Sequence, residues 1–253
     1  MVTRGRTRRR PAARPSRRGW WRTCCRWRAS TGRSRWTCTR RRCRAFATFP
    51  IDNLYALPLV ASYIKATIGK DVSPDDLVAV SPDAGGAKRA DIMAKILGCG
   101  LALCSKTRTK ANLVDSMTLV GDVEGKTAIL VDDMADTMGT LCIAADILKA
   151  HGAKAVHGAV VHGVFSEPAL DRIAESCLEQ LIVTDTIPMQ HTCADPRAEK
   201  IKVLPIAPML AEAIRTVHNG ESLGALFHHN DPSRMAGGII WDDAAKADEA
   251  KDR

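Results

Sequence analysis

The stretch Ile129-Leu130-Val131-Asp132-Asp133-Met134-Ala135-Asp136-Thr137-Met138-Gly139-Thr140 limits the folds open to this chain more than any other. Three apolar residues read as the end of a buried strand. Two adjacent acids follow, then a turn of small residues, then helical spacing from Leu141 to His151. A strand that ends in paired acids and turns through Thr-x-Gly-Thr into a helix looks like a phosphate cradle. Backbone N–H groups and two hydroxyls gather at a helix N-terminus, where partial positive charge accumulates. The acids suit a ribose or a hydrated Mg2+ beside that phosphate. The plainer reading is an Asp-rich turn with Thr140 as an N-cap.

Around this motif, apolar runs alternate with helical spacing. Pro58 to about Ile68 reads as a helix, with Pro at its favoured start. Leu77 to Val80 reads as a strand running into Ser81-Pro82-Asp83-Ala84-Gly85-Gly86-Ala87-Lys88-Arg89, a second strand-to-helix turn. A helix from Lys88 to Leu97 and a strand from Leu101 to Cys104 follow. Residues 105–112 are polar and basic and read as a mobile loop, whose cations suit closure over a polyphosphate. Met117 to Val123 and Thr127 to Val131 read as strands joined by the turn Glu124-Gly125-Lys126. Further strands are expected at Ala155 to Val161, Leu181 to Thr184 and Lys202 to Leu204, with helices at Pro168 to about Glu175 and Pro208 to Asn219. His157 and His162 fit core or rim positions rather than ligands. The alternation implies an α/β fold with a doubly wound, largely parallel sheet. Three strand-end loops would carry its chemistry, because ligands gather at the carboxyl edge of such sheets.

Charge divides the chain. Residues 1–46 hold 17 Arg, no Lys and no acid. Of 37 basic residues that leaves 20 in the remainder against 28 acids, a net of −8. The overall charge of +9 therefore belongs to the first segment and is not a nucleic-acid footprint of the body. Five of the nine Cys lie in the body, without zinc spacing, and fit buried thiols in a reducing compartment. No run approaches the ~18 apolar residues of a membrane span. The body reads as soluble and cytoplasmic.

The first 46 residues admit a transit peptide, an RNA-binding arm or a disordered tail. Their four Trp and four Cys suit none of these well. A fourth reading is translation out of frame. Trp has a single codon and Cys a pair, so the alternative frame is partly forced. Read one nucleotide upstream, the codons across Arg35-Trp36-Thr37-Cys38-Thr39 become Leu/Met/Val, Asp, Leu/Met/Val and His/Tyr. The same shift permits an apolar, helix-like string across Trp20 to Arg28.

Several stretches together resemble ribose-phosphate pyrophosphokinase, the phosphoribosyl pyrophosphate (PRPP) synthetase family. They are Phe49 to Ala56, Val80 to Arg89, the pair Lys106 and Arg108, the 129–140 motif, Ala211 to Arg215, and His218 to Ser222. The likeness runs over about 47–227 with few gaps. It implies a sheet of the phosphoribosyltransferase type. It also implies transfer of diphosphate from MgATP to the C1 hydroxyl of ribose 5-phosphate, giving PRPP and AMP for nucleotide biosynthesis. By position, Asp136, Thr137, Gly139 and Thr140 would hold the 5-phosphate. Asp132 and Asp133 would face the ribose hydroxyls, and Asp83 would serve Mg2+. Lys106 and Arg108 would be the catalytic cations of the loop. The resemblance implies an oligomer, homomeric or shared with a full-length synthetase, and no nucleic acid or membrane partner.

The family's ATP-side motifs should precede position 47 and are not written there. The shifted frame permits both. The resulting division is an Arg-rich irregular segment over 1–46, the ribose-phosphate domain over 47–227, and a loosely ordered tail over 228–253. An alternative implied by the lost ATP half is a non-catalytic subunit that regulates a full-length synthetase.

Overall fold

The computed structural model describes residues 53–107 and 116–224. By its contacts the chain divides into two units, Met1–Leu54 and Tyr55–Arg253. The irregular segment over 1–46 and the tail over 228–253 lie outside the described residues.

The second unit is built on a seven-stranded sheet. Its strands are β1 (Leu77–Ser81), β2 (Gly100–Thr107), β3 (Ser116–Val120), β4 (Thr127–Ala135), β5 (Ala155–Gly163), β6 (Gln180–Thr184) and β7 (Ile201–Leu204). Their order across the sheet is β3-β2-β1-β4-β5-β6-β7. Only β3 runs antiparallel, against β2. All other pairs are parallel, as the alternation of strands and helices implied.

Helices cover both faces. They are α1 (Leu57–Ala66), α2 (Ile68–Asp71), α3 (Ala87–Leu97), α4 (Gly139–Ala150), α5 (Ala169–Glu175), α6 (Gln190–Cys193) and α7 (Ala207–His218). On one face, Tyr63 and Ile64 of α1 and Met93 and Ile96 of α3 pack on Ala79, Ile129 and Val131. On the other, Leu141 and Leu148 of α4 and Ile173 of α5 pack on Val80, Leu130 and Val160. Ile129 and Leu130 are both fully buried and serve opposite faces. A strand buried on both sides has no room for polar alternation, which is why Thr127 to Val131 is nearly continuous in its apolar character. Truncating Leu130 to Ala would remove about 2–5 kcal/mol.

Local signals set the helix ends. Pro58 opens α1, where its missing N–H has no partner to lose. Gly98 closes α3 in the left-handed conformation at φ 75°, and its N–H bonds to the Ala94 carbonyl.

Four sequence expectations change. The strand β2 continues to Thr107, so Ser105 and Lys106 are strand residues paired with Thr118 and Met117 rather than loop. A cross-strand ladder supplies the hydrogen bonds that these polar residues lack as an isolated stretch. The strand before Glu124 ends at Val120 and pairs with β2, whereas β4 lies between β1 and β5. The acids Asp132 and Asp133 lie inside β4, not beyond it. The thiols are not uniformly buried: Cys104 is, Cys193 is exposed, and Cys99, Cys142 and Cys177 lie between. No described helix is long and apolar enough to cross a membrane.

Candidate active site

β1 and β4 pair directly, with Val80 opposite Leu130. From β1 the chain moves outward to β2, then returns to place β4 on the other side of β1. The sheet order reverses there, so the carboxyl ends of β1 and β4 border a crevice. Both of the strand-to-helix turns singled out in the sequence open at that crevice.

The β1 turn is closed by its own polar groups. Ser81 Oγ donates to the Asp83 carbonyl at 2.6 Å, and Asp83 Oδ1 accepts the Gly86 N–H at 2.8 Å. Gly86 is buried, and a Cβ there would stand 2.6 Å from Ser81 Oγ and 3.2 Å from Arg89 Nη1. Glycine therefore gives the backbone its close approach and leaves space for the arginine. The turn leads into α3, whose first turn presents Arg89.

Arg89 spans the acid pair of β4. Nη1 donates to Asp132 Oδ1 at 2.9 Å, and Nη2 lies 3.2 Å from Asp133 Oδ2. The Asp133 N–H also donates to Asp132 Oδ1, at 2.7 Å. Burial pushes the Asp132 carboxyl up, and the adjacent Asp133 side chain pushes it further. The Asp133 N–H and the Arg89 charge oppose them, and Asp132 settles at about 6.

The turn read in the sequence as a phosphate cradle follows. The Ala135 carbonyl accepts the N–H groups of Val164 and Phe165 at 2.8 and 3.1 Å, tying the end of β4 to the end of β5. Asp136 and Thr137 are exposed. Met138 is buried yet left-handed, with φ 61° and ψ 0°. A non-glycine residue there is unusual, and such strain collects at ligand-binding turns. Helix α4 begins at Gly139 with no side-chain cap, and Thr140 lies inside its first turn. Thr140 is therefore not the N-cap of the plainer reading. The first helical backbone bond is Cys142 N–H to the Met138 carbonyl, at 3.0 Å. The N–H groups before it have no intrahelical partner and carry the positive end of the helix.

Arg172 of α5 holds this turn from outside. Its Nη1 donates to the Thr137 carbonyl at 2.7 Å and would lie 3.2 Å from a Cβ at Gly139. The carbonyl and N–H of one trans peptide point in opposite directions. Anchoring the Thr137 carbonyl therefore turns the Met138 N–H away from Arg172.

The structure thus brings together Asp132, Asp133, Asp136, Thr137, Gly139 and Thr140 on β4 and the turn beyond it, with Asp83 on the adjoining strand end. Lys106 belongs to β2 opposite Met117, and Arg108 lies outside the described residues. His157 is buried and His162 half-buried, and His162 Nδ1 lies 2.8 Å from Thr186 Oγ1. Sequence reading missed Arg89 and Arg172 as site residues. Arg89 had a signal, since it stands in the first helical turn beyond Gly86. Arg172 had none, because its short helix carries no motif.

Among the described residues, no group of three or more His, Cys, Asp or Glu could hold a metal by itself. The carboxylate of Asp83 gives one oxygen to the Gly86 N–H and is a hard donor. It fits Mg2+, which binds through one or two carboxylates together with substrate phosphates and water.

A family model described as the phosphoribosyl synthetase-associated domain matches residues 102–228, just over half of the chain. The chain belongs to this family. It is 52% identical over 184 residues to ribose-phosphate pyrophosphokinase 2 of Schizosaccharomyces pombe, covering 73% of this chain and 56% of that protein. The crystal structure of phosphoribosylpyrophosphate synthetase from Mycobacterium smegmatis is similar at 36% identity and a TM-score of 0.67, over 79% of this chain and 64% of that one. The chain thus spans less than two thirds of either relative.

Proposed function

We propose that this chain binds ribose 5-phosphate at the crevice between β1 and β4, and that it carries the ribose-phosphate half of a ribose-phosphate diphosphokinase. The observation that carries the reading is one continuous turn. It joins the half-buried acid pair Asp132 and Asp133 to an uncapped helix start behind left-handed Met138. Two carboxylates accept two sugar hydroxyls, and the adjacent N–H groups receive a phosphate dianion. Asp136, Thr137, Gly139 and Thr140 hold the 5-phosphate. Asp132 and Asp133 face the ribose hydroxyls.

The reaction is transfer of diphosphate from MgATP to the C1 hydroxyl, which yields PRPP and AMP. The chain's part in it is positioning and charge stabilisation, with no covalent intermediate. Lys106 and Arg108 are assigned to the transferring group. Asp83 is assigned to Mg2+, which when bound would offset the negative charge of the phosphates. Residues 47–227 form the ribose-phosphate domain of a cytoplasmic oligomer. Residues 1–46 are read as an out-of-frame remnant of the ATP half, which sequencing of gene and transcript across codons 1–50 would test.

Calorimetric titration of the chain with ribose 5-phosphate should show weak, saturable binding, and Asp136→Ala should abolish it. Unchanged binding in that variant would remove the site assignment. ATP plus ribose 5-phosphate should release little AMP with this chain alone; robust release would show that the ATP half is supplied after all.

A further inference from the structure

The motif residues do not account for Arg89. Its guanidinium reaches from the β1 turn to β4 and engages both acids at once. We infer that Arg89 is a positioning residue that converts the acid pair into a receptor for a vicinal diol and so sets selectivity for ribose over 2-deoxyribose phosphates. The inference rests on the proposed sugar-phosphate site.

Consecutive residues of a strand send their side chains to opposite faces. Asp132 and Asp133 should diverge on that rule, and their like charges should also drive them apart. Here one planar fork bonds Oδ1 of the first and Oδ2 of the second, at 2.9 and 3.2 Å. The Asp133 N–H bonds to that same Asp132 oxygen at 2.7 Å, so Asp132 Oδ1 is fully engaged. The clamp leaves Asp132 Oδ2 and Asp133 Oδ1 outside it. Two acceptors held by one rigid fork match two neighbouring hydroxyl donors better than one. A lysine has no such fork and could satisfy one acid at a time.

Gly86 is an independent sign that the reach of Arg89 is built in. Any Cβ at that buried position would come within 3.2 Å of Arg89 Nη1 and 2.6 Å of Ser81 Oγ. The β1 turn is thus shaped around the guanidinium. Asp83, in the same turn, spends one oxygen on closing it at Gly86 N–H and leaves Arg89 to the β4 acids.

The test compares the full chain with Arg89→Ala and Arg89→Lys, titrated calorimetrically with ribose 5-phosphate and 2-deoxyribose 5-phosphate. The unaltered chain should prefer ribose by about 10- to 100-fold, the worth of one hydrogen bond to a charged group. Arg89→Ala should bring that ratio close to one while keeping the phosphate-driven binding of both sugars. Added methylguanidinium should restore the preference, which it could not do for a misfolded site. Arg89→Lys should recover only part of it. An undiminished ratio in Arg89→Ala, or no rescue by methylguanidinium, overturns the inference and leaves sugar-phosphate binding standing. Absence of binding by the unaltered chain overturns the sugar-phosphate site itself, and this inference with it.

Discussion

Replacing Asp132 by Asn should stabilise the protein, increasingly so as pH rises. The folded state raises the Asp132 carboxyl from 3.8 to about 6, chiefly by burial and then by its neighbour Asp133. Between those values the folded chain holds a proton that the unfolded chain has released. Stability therefore falls as pH climbs through this window and stays lower above it. A rise of that size corresponds to an upper bound of about 3 kcal/mol. The side chain is 20% exposed, so water and Arg89 screen it, and about 1–2 kcal/mol is the working figure. Asn keeps an oxygen for the Arg89 and Asp133 N–H donors and has no charge to bury. Urea melts of both proteins should coincide near about pH 3.5 and separate by that amount near about pH 7.5, with Asn the more stable. A variant less stable than its parent by a margin that widens from about pH 3.5 to about pH 7.5 would refute the reasoning. It would mean that the ionised clamp supports the fold.

The remaining predictions address the turn, its support and the far end of the sheet. Met138→Ala should destabilise by about 2–4 kcal/mol through lost burial, and Met138→Gly by about 1 kcal/mol less because it relieves the left-handed strain; equal urea midpoints would show that φ 61° is not strained. Arg172→Met should weaken ribose 5-phosphate binding roughly tenfold while lowering stability by about 1 kcal/mol or less, since its bond to the Thr137 carbonyl is exposed; unchanged affinity by calorimetry would mean that the turn holds its shape unaided. His157 is buried with Nδ1 unpartnered, and burial holds its pKa below 6.5, so stability should fall as pH drops below that value. His157→Phe should flatten this acid limb in urea melts, and an unchanged limb would assign it to other groups.

Much of the fold was legible because the strands are buried on both faces. Runs such as Leu77 to Val80 and Thr127 to Val131 have one reading when turns and helical spacing bracket them. Element ends were less legible. β4 absorbs Asp132 and Asp133 because the paired strand β5 continues alongside them, opposite Val160 and beyond. Nothing in the local sequence reports the length of a partner strand. The same holds for Lys106, which a basic stretch marks as loop and the β3 ladder makes strand. Of the candidate site, the turn from β4 into α4 was legible as a strand-to-helix turn of small residues and hydroxyls. The left-handed residue was not. Gly139 invites that assignment, yet Met138 takes it, because the buried side chain is held by the core packed around it.

Arg89 and Arg172 show why the missing parts were of one kind. A sugar-phosphate site asks for arrangements that an empty protein resists. Two carboxylates must stand together, and several N–H dipoles must point into one opening. In each half of the proposed site an arginine from a neighbouring helix answers the problem: α3 supplies the bridge between the acids, and α5 anchors the carbonyl whose peptide presents an N–H the other way. Neither arginine belongs to the turn it holds, and they are separated from their targets by 43 and 35 residues. Motif reading, which works along the chain, finds the groups that meet the ligand. It does not find the groups that make their arrangement tolerable beforehand, because those are chosen by the sheet order. Preorganised polar groups act on developing charge without reorganising when it arrives. On that argument the two arginines contribute through the shape of the receptor. Their removal should change selectivity and affinity well before it changes the fold.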